Sequence, residues 1–361
     1  MEEDIMTLTV SAPGRICLFG EHQDYLGFNV ISAAINRRIK ISGNAVVGRS
    51  LSIDLPDITS FEKIDLDNLN TLKNNRDYLR SAFNLLKSMG VQFPQGFDCK
   101  IESTIPIKKG VSSSSAMVVA WIAFLLAISG EKENYSSFDI AKLAFKAEVE
   151  AFNEPGGMQD HLCAAIGGML FMDFSGDVKY RKLKNKLNGF VLGDSLVQKD
   201  TIGVLSRIKK GFFGAVDMIK KDLPDIDILT ASSDIADSYE EKLDRESYRI
   251  FAGALKIRDL TSEALDEVEK DSVDEDRIGE LFNRHHQILR DNLSVSTPQI
   301  NDMIDAALSV GAKGAKVNGS GGGGCFIVYC PKKENEVIEA IKKKGGEASK
   351  IEIDEGVRVE C

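Results

Sequence analysis

Apolar and polar positions recur along this chain with two periods, and those periods predict its elements. Over residues 73–88, Leu79, Phe83 and Leu86 fall on one face, which predicts an amphipathic helix. Phe97, Cys99 and Ile101 alternate with polar neighbours, the pattern of a half-buried strand over 97–102. The pattern breaks over 106–115 and resumes as an apolar helix over 116–128, which Ser129-Gly130 would end. Further helices are expected over 138–152, 160–166 and 298–309, with a turn at 154–157. Apolar runs at 7–10, 16–19, 30–41, 169–174, 189–192 and 325–329 are expected to be extended, the first two separated by Ser11-Ala12-Pro13-Gly14. From 201 to about 293 the chain is charged and mostly helical; its acidic stretch at 266–276 reads as a solvated face and loop rather than a site.

Length and charge narrow the function. At 361 residues the chain can form two domains or one two-lobed unit, and an N-terminal lobe over 1–180 with a helix-rich C-terminal lobe over 181–361 is expected. A net charge of -10 has the wrong sign for a non-specific nucleic-acid binder, so no nucleic-acid partner is expected. An anionic small molecule stays possible, because one local cluster of donors can hold it. The N-terminus, Met1-Glu2-Glu3-Asp4, lacks the basic start and apolar stretch of a signal peptide, and the longest apolar run is too short to span a bilayer. A soluble, cytoplasmic protein with no membrane partner is expected. The 6 cysteines are scattered without a CxxC pair, which supports neither a zinc site nor a disulfide framework.

Glycine is abundant, 31 against 8 prolines, and its informative part gathers in loops. In the first, Pro106 to Ala116, Gly110 precedes Ser112, Ser113, Ser114 and Ser115 directly before a helix. Free N–H groups at a helix start, the helix dipole and a row of hydroxyls make an anion cradle. A simple helix cap would need only one of the four serines. The second loop, Lys316-Val317-Asn318-Gly319-Ser320-Gly321-Gly322-Gly323-Gly324, permits positive φ and a close backbone approach. Neither loop is a Walker A motif or a dinucleotide fingerprint. The segment Gly20-Glu21-His22-Gln23-Asp24-Tyr25 suits recognition of a polyhydroxylated ligand, and Asp160, behind Gly156-Gly157, suits a general base.

Together these segments resemble the family of galactokinase, homoserine kinase, mevalonate kinase and phosphomevalonate kinase, the GHMP kinases, over roughly residues 9–330. Within it, Ala12-Pro13-Gly14-Arg15, Gly20 to Tyr25 and Gly157-Met158-Gln159-Asp160 look closest to galactokinase. The resemblance implies an α+β, two-lobed fold, with an N-terminal lobe like ribosomal protein S5 domain 2 and a ferredoxin-like α/β C-terminal lobe. It implies Arg15 and Asp160 as catalytic residues, and Glu21, His22, Asp24 and Gly157 around the sugar. Gly110, Ser112, Ser113, Ser114, Ser115 and Ala116 would hold the ATP phosphates, with Gly319 and Gly321 in the third motif. Ser114 and Glu148 would contact Mg²⁺. Phosphoryl transfer needs in-line placement and charge neutralisation, which such a set can supply.

The expected function is ATP-dependent phosphorylation of a monosaccharide, at the anomeric hydroxyl. Several positions depart from galactokinase: Gln23 where threonine is usual, Gly27-Phe28 for a glycine pair, Ser115 for alanine, and His161 for the glutamine after Asp160. The segment from Gly193 to Thr201 is closer to other sugar-kinase or mevalonate-type members. A mevalonate-like kinase of a small hydroxy acid is therefore the first rival, and a non-catalytic metabolite sensor the second.

Overall fold

The two apolar runs expected at 7–10 and 16–19 are halves of a single strand, β1 (Leu8–Phe19). It pairs antiparallel with β2 (Val30–Val46), and a bulge between Pro13 and Arg15 absorbs the step that separates the two runs in the sequence. The computed structural model describes residues 7–107, 109–184 and 187–360, so Met1-Glu2-Glu3-Asp4, Lys108 and Cys361 lie outside the described residues.

The N-terminal lobe continues with β3 (Ser50–Leu55), β4 (Ser60–Asp65), α1 (Tyr78–Ser88), β5 (Gly96–Ser103), α2 (Ser113–Ile128), α3 (Ser137–Glu148), α4 (Gln159–Ile166), β6 (Met169–Asp173) and β7 (Lys179–Lys182). Its sheet has the order β12-β1-β2-β5-β3-β4, with β12 (Arg358–Glu360) the chain's last strand, and β6 and β7 extend it from the start of β2. The pairing of β3 with β5 is parallel and the other pairings are antiparallel. α2 and α4 pack on the sheet, and α1 and α3 pack on α2. α2 is buried on almost every side, which is why its sequence has no polar face; the Trp121 indole N–H donates to the Leu79 carbonyl at 3.0 Å.

Then come β8 (Phe190–Asp194), α5 (Thr201–Asp222), α6 (Arg245–Val268), α7 (Glu275–Asp291), α8 (Pro298–Ser309), β9 (Gly314–Val317), β10 (Cys325–Tyr329), α9 (Glu334–Lys343), β11 (Glu347–Ile351) and β12 (Arg358–Glu360). β11-β8-β10-β9 form a second, antiparallel sheet covered by α7, α8 and α9. A second apolar core lies here, built on Phe212, Phe251, Leu255, Leu289 and Phe326.

Three helix bounds differ from expectation. α1 starts at Tyr78 rather than 73, after Asp77, whose side chain accepts the Arg80 N–H. α2 starts at Ser113 rather than 116, because Ser112 takes a left-handed φ of 61° and turns the chain into the helix. The helix expected over 138–152 stops at Glu148; a 3-10 turn, Glu150–Phe152, ends on Asn153 at φ 52°.

The chain ends back on the first sheet, where Thr9 pairs with Glu360 and Ser11 with Arg358. Arg38 on β2 fastens this return. Its guanidinium donates to the Ser11 carbonyl at 3.0 Å, the Gly356 carbonyl at 2.7 Å, the Glu355 carbonyl at 2.9 Å and the Asp354 carboxylate at 2.8 Å. Arg38→Ala leaves these partly buried acceptors unpaired, and urea unfolding should show a loss of about 2–3 kcal/mol. A change below about 0.5 kcal/mol would show that the tail holds without it.

Candidate active site

Four segments from distant parts of the sequence meet where β1 leaves the first sheet. Arg15 is buried at 5% exposure just past the bulge. Its Nε donates to Asp160 Oδ1 at 2.7 Å, its Nη1 to the Gly110 carbonyl at 2.6 Å, and its backbone N–H to the Val111 carbonyl at 3.2 Å. Burial works against the Arg15 charge, but Asp160 and Glu21 outweigh it and raise the guanidinium above its ordinary pKa. Gly14 makes this approach possible: a Cβ there would stand 2.7 Å from the Val111 carbonyl oxygen. Asp160 lies in the first turn of α4, where the helix dipole favours a carboxylate.

Beside this pair lies a second carboxylate. Asp24 Oδ2 accepts the Gln159 N–H at 3.3 Å, and Oδ1 is buried without a partner among the described residues. Burial, with Asp160 close by, pushes the Asp24 carboxyl up to about 6. Gly157 is a glycine for a steric reason, since a Cβ there would fall 2.1 Å from Asp24 Oδ2. His22 is held at a left-handed φ of 66° with its Nδ1 2.7 Å from the Tyr25 hydroxyl. Burial lowers its pKa to about 3, so the imidazole is neutral at physiological pH. Glu21 is 2% exposed and accepts from the Lys316 ammonium at 2.9 Å; Lys316 also donates to the Cys17 carbonyl at 2.8 Å.

The two glycine-bearing loops are built against each other. Gly110 and Gly319 sit at φ 91° and 76°, and a Cβ on either would strike the backbone of the other loop, 2.7 Å from the Asn318 oxygen and 2.6 Å from the Gly110 oxygen. A Cβ on Gly321 would strike the Val295 oxygen at 2.3 Å, so Gly319 and Gly321 shape the loop by backbone packing. The buried Asn318 side chain ties three segments, accepting from the Cys17 N–H and donating to the Gly110 carbonyl, both at 2.8 Å. In the first loop Ser114 is exposed, Ser113 half-buried, and Ser112 buried with its hydroxyl unpartnered. Ser115 is also buried. Ala116 lies in the core and its N–H bonds to the Ser112 carbonyl at 3.0 Å, so it offers no free group to a ligand.

The sequence reading missed Lys316 as the partner of Glu21, Asn318 as the tie, and Lys199, whose ammonium donates to Ser320 Oγ at 3.1 Å. A polar residue inside an apolar run was the available signal for Lys316, which stands in β9 among Gly314, Ala315 and Val317. Lys199 lies in a polar stretch and carried no such signal.

Comparison with known proteins decides the family. The GHMP kinases N terminal domain matches residues 77–168, the GHMP kinases C terminal domain matches 264–347, and the galactokinase galactose-binding signature matches 2–44. The chain belongs to the GHMP kinase family. A GHMP kinase of Pyrococcus furiosus, its mevalonate kinase, is 28% identical, with 98% of this chain and 99% of that protein covered. Lactococcus lactis galactokinase, solved with galactose, superposes with a TM-score of 0.84 at 19% identity, covering 98% of this chain and 95% of that one. The Methanococcus jannaschii mevalonate kinase gives 0.75 at 21%, covering 98% and 100%. Both kinds of GHMP kinase thus match over nearly the whole length, and the expected preference for galactokinase is not resolved by them. The two-lobed α+β architecture is the GHMP kinase fold, and the protein is an ATP-dependent small-molecule kinase. Among the described residues no helix is long and apolar enough to cross a membrane.

A GHMP kinase implies a divalent cation with its nucleotide. Glu148, at the end of α3, is buried and its Oε2 lies 2.7 Å from His161 Nε2. Among the described residues no group of three or more His, Cys, Asp or Glu side chains could hold a metal ion. Mg²⁺ keeps several waters and takes phosphate oxygens as ligands, so it needs few protein groups; Glu148 and the exposed Ser114 hydroxyl are the two that the family resemblance assigns to it.

The raised Asp24 carboxyl has a consequence for stability. The folded chain holds this proton more tightly than the unfolded one, so the stabilisation is full in acid and lost as pH rises through about 6. Asp24→Asn removes the cost of ionising the buried group. Calorimetry at pH 7.5 should show a gain of about 2–3 kcal/mol that shrinks towards pH 4. A loss at pH 7.5 would mean that the ionised Asp24 is stabilised in the folded chain.

Proposed function

We propose that this chain transfers the γ-phosphoryl group of ATP to a hydroxyl of a small, neutral polyol of the sugar type. The observation that carries the reading is the buried Arg15–Asp160 pair with Asp24 beside it. Asp24 Oδ1 is a hydrogen-bond acceptor with no protein donor among the described residues, which suits the hydroxyl groups of a polyol. A carboxylate brought close to Asp24 and Asp160 would meet like charges in a poorly solvated site.

In this reading Asp160 orients the acceptor hydroxyl and takes its proton, with Arg15 holding the carboxylate at 2.7 Å. Arg15 also stabilises charge on the transferring phosphoryl, and its link to the Gly110 carbonyl keeps that charge beside the phosphate loop. Ser112, Ser113, Ser114 and the N-terminus of α2 receive the phosphates. Ser114 and Glu148 would hold Mg²⁺ together with the nucleotide, and the ion would supply charge neutralisation of the phosphates. His22 and Tyr25, linked to each other, form a wall of the acceptor pocket.

A second reading has its own support. The full-length sequence relatives include several mevalonate kinases, and this favours a small hydroxy acid as acceptor more than the galactokinase-like expectation. ADP release with ATP-Mg²⁺ and a panel of hexoses, pentoses, uronic acids and mevalonate separates the two. Turnover with a neutral sugar supports the polyol; turnover with mevalonate alone overturns it. Sugar-dependent ATP binding without ADP release would point to the sensor.

Asp160→Asn should lower turnover about 10²–10⁴-fold with ATP affinity kept within about threefold. Near-normal turnover in that variant would remove Asp160 from the chemistry.

A further inference from the structure

The described cations around the two loops are paired with carboxylates, with one exception. Arg15 faces Asp160 at 2.7 Å, Lys109 faces Asp194 at 3.1 Å and Lys316 faces Glu21 at 2.9 Å. Lys199 stands among them with no carboxylate partner among the described residues, and its ammonium donates to the neutral Ser320 hydroxyl at 3.1 Å. It reaches the phosphate loop directly, since a Cβ on Gly110 would lie 2.9 Å from Lys199 Nζ. On that same loop the Ser112 hydroxyl is more than nine-tenths buried and has no partner. A partly buried cation without a counter-charge is costly, and burial together with Arg15 lowers the Lys199 pKa to about 8. An unpaired cation and an unpaired hydroxyl on either side of Gly110 are the complement of an anion with several oxygens.

We propose that Lys199 binds the γ-phosphoryl oxygens of ATP and adds a second positive charge beside Arg15 during transfer. The inference rests on the ATP-dependent reading but not on which acceptor is used. The γ-phosphoryl is favoured over the α and β groups because Lys199 lies close to the Arg15–Asp160 pair, where the acceptor hydroxyl must meet the transferring group. The charged and titratable groups facing Lys199 include Arg15 from β1, Cys325 from β10, Asp160 from α4, and Glu21 and His22 from the segment after β1.

Isothermal titration of the full-length chain with Mg²⁺-AMPPNP and Mg²⁺-ADP tests this without any acceptor. Lys199→Met should weaken AMPPNP binding about tenfold or more and leave ADP within about twofold; Lys199→Arg should keep both. In the unchanged protein the preference for AMPPNP over ADP should fall as pH rises through about 8, and in Lys199→Arg it should stay flat. That profile remains readable if Lys199→Met fails to fold. Equal losses for both nucleotides would reduce Lys199 to a support of the loops. No loss would remove it from the phosphate site. Either result overturns the proposal. An unchanged protein that binds neither nucleotide would instead sink the ATP-dependent reading itself.

Discussion

The site depends on one buried guanidinium. Arg15 donates through Nε to Asp160 and through Nη1 to the Gly110 carbonyl, and each contact fixes a different segment of chain. The Gly110 carbonyl also accepts from Asn318, so the cation, the phosphate loop and the glycine-rich loop share a single oxygen. A buried charge left without partners costs several kcal/mol, so the surrounding chain has little freedom once Arg15 is inside. The bulge at Pro13–Arg15, the bare Gly14 and the left-handed Ser112 are local solutions to that one requirement.

The same requirement explains why the site is held by both lobes. Lys316 at the end of β9 inserts its ammonium beneath the Gly20–Tyr25 segment, pairing with Glu21 and the Cys17 carbonyl. Glu21, which the family resemblance assigns to the sugar, therefore has at least one oxygen committed to the protein. The lobes meet through apolar packing, as where the Phe19 ring lies 4.9 Å from that of Phe282, and through charged and amide groups whose hydrogen-bond geometry defines the relative position more sharply.

The fold was legible in the sequence over several elements that carry a clear period, though α9 and β3, which carry one too, were not predicted. α1, β5, α8 and β10 lie where their apolar spacing places them. β4, β7 and β12 escaped because they are short and mostly exposed, with little apolar signal to separate them from loops. The merging of two runs into β1 escaped because a proline and a glycine normally mark a break, and only tertiary pairing with β2 shows the bulge. Asp160, Asp24 and the serine loop stood out because their residue types sit in contexts that core packing does not demand, whereas Arg15 came only from the family resemblance. Lys316, Asn318 and Lys199 act through partners more than 100 residues away, and no local pattern announces that distance.

The arrangement also separates what the two kinds of relative share from what must differ. Transfer of a phosphoryl group asks for a fixed cation, a carboxylate on the acceptor side and a phosphate cradle; in the proposed reading Arg15, Asp160 and the loop before α2 answer those needs whatever the acceptor carries. Choice of acceptor must then fall on groups that touch the rest of the substrate. In the same reading those groups include Asp24, held against ionisation by burial and by Asp160, and a neutral His22. A buried carboxylate with one open oxygen accepts a hydroxyl readily and takes a second anion poorly, because the charges would have to share a site that solvent barely screens. Selection by charge of this kind leaves the transfer machinery untouched, so a common scaffold can serve a neutral sugar in one member and a hydroxy acid in another.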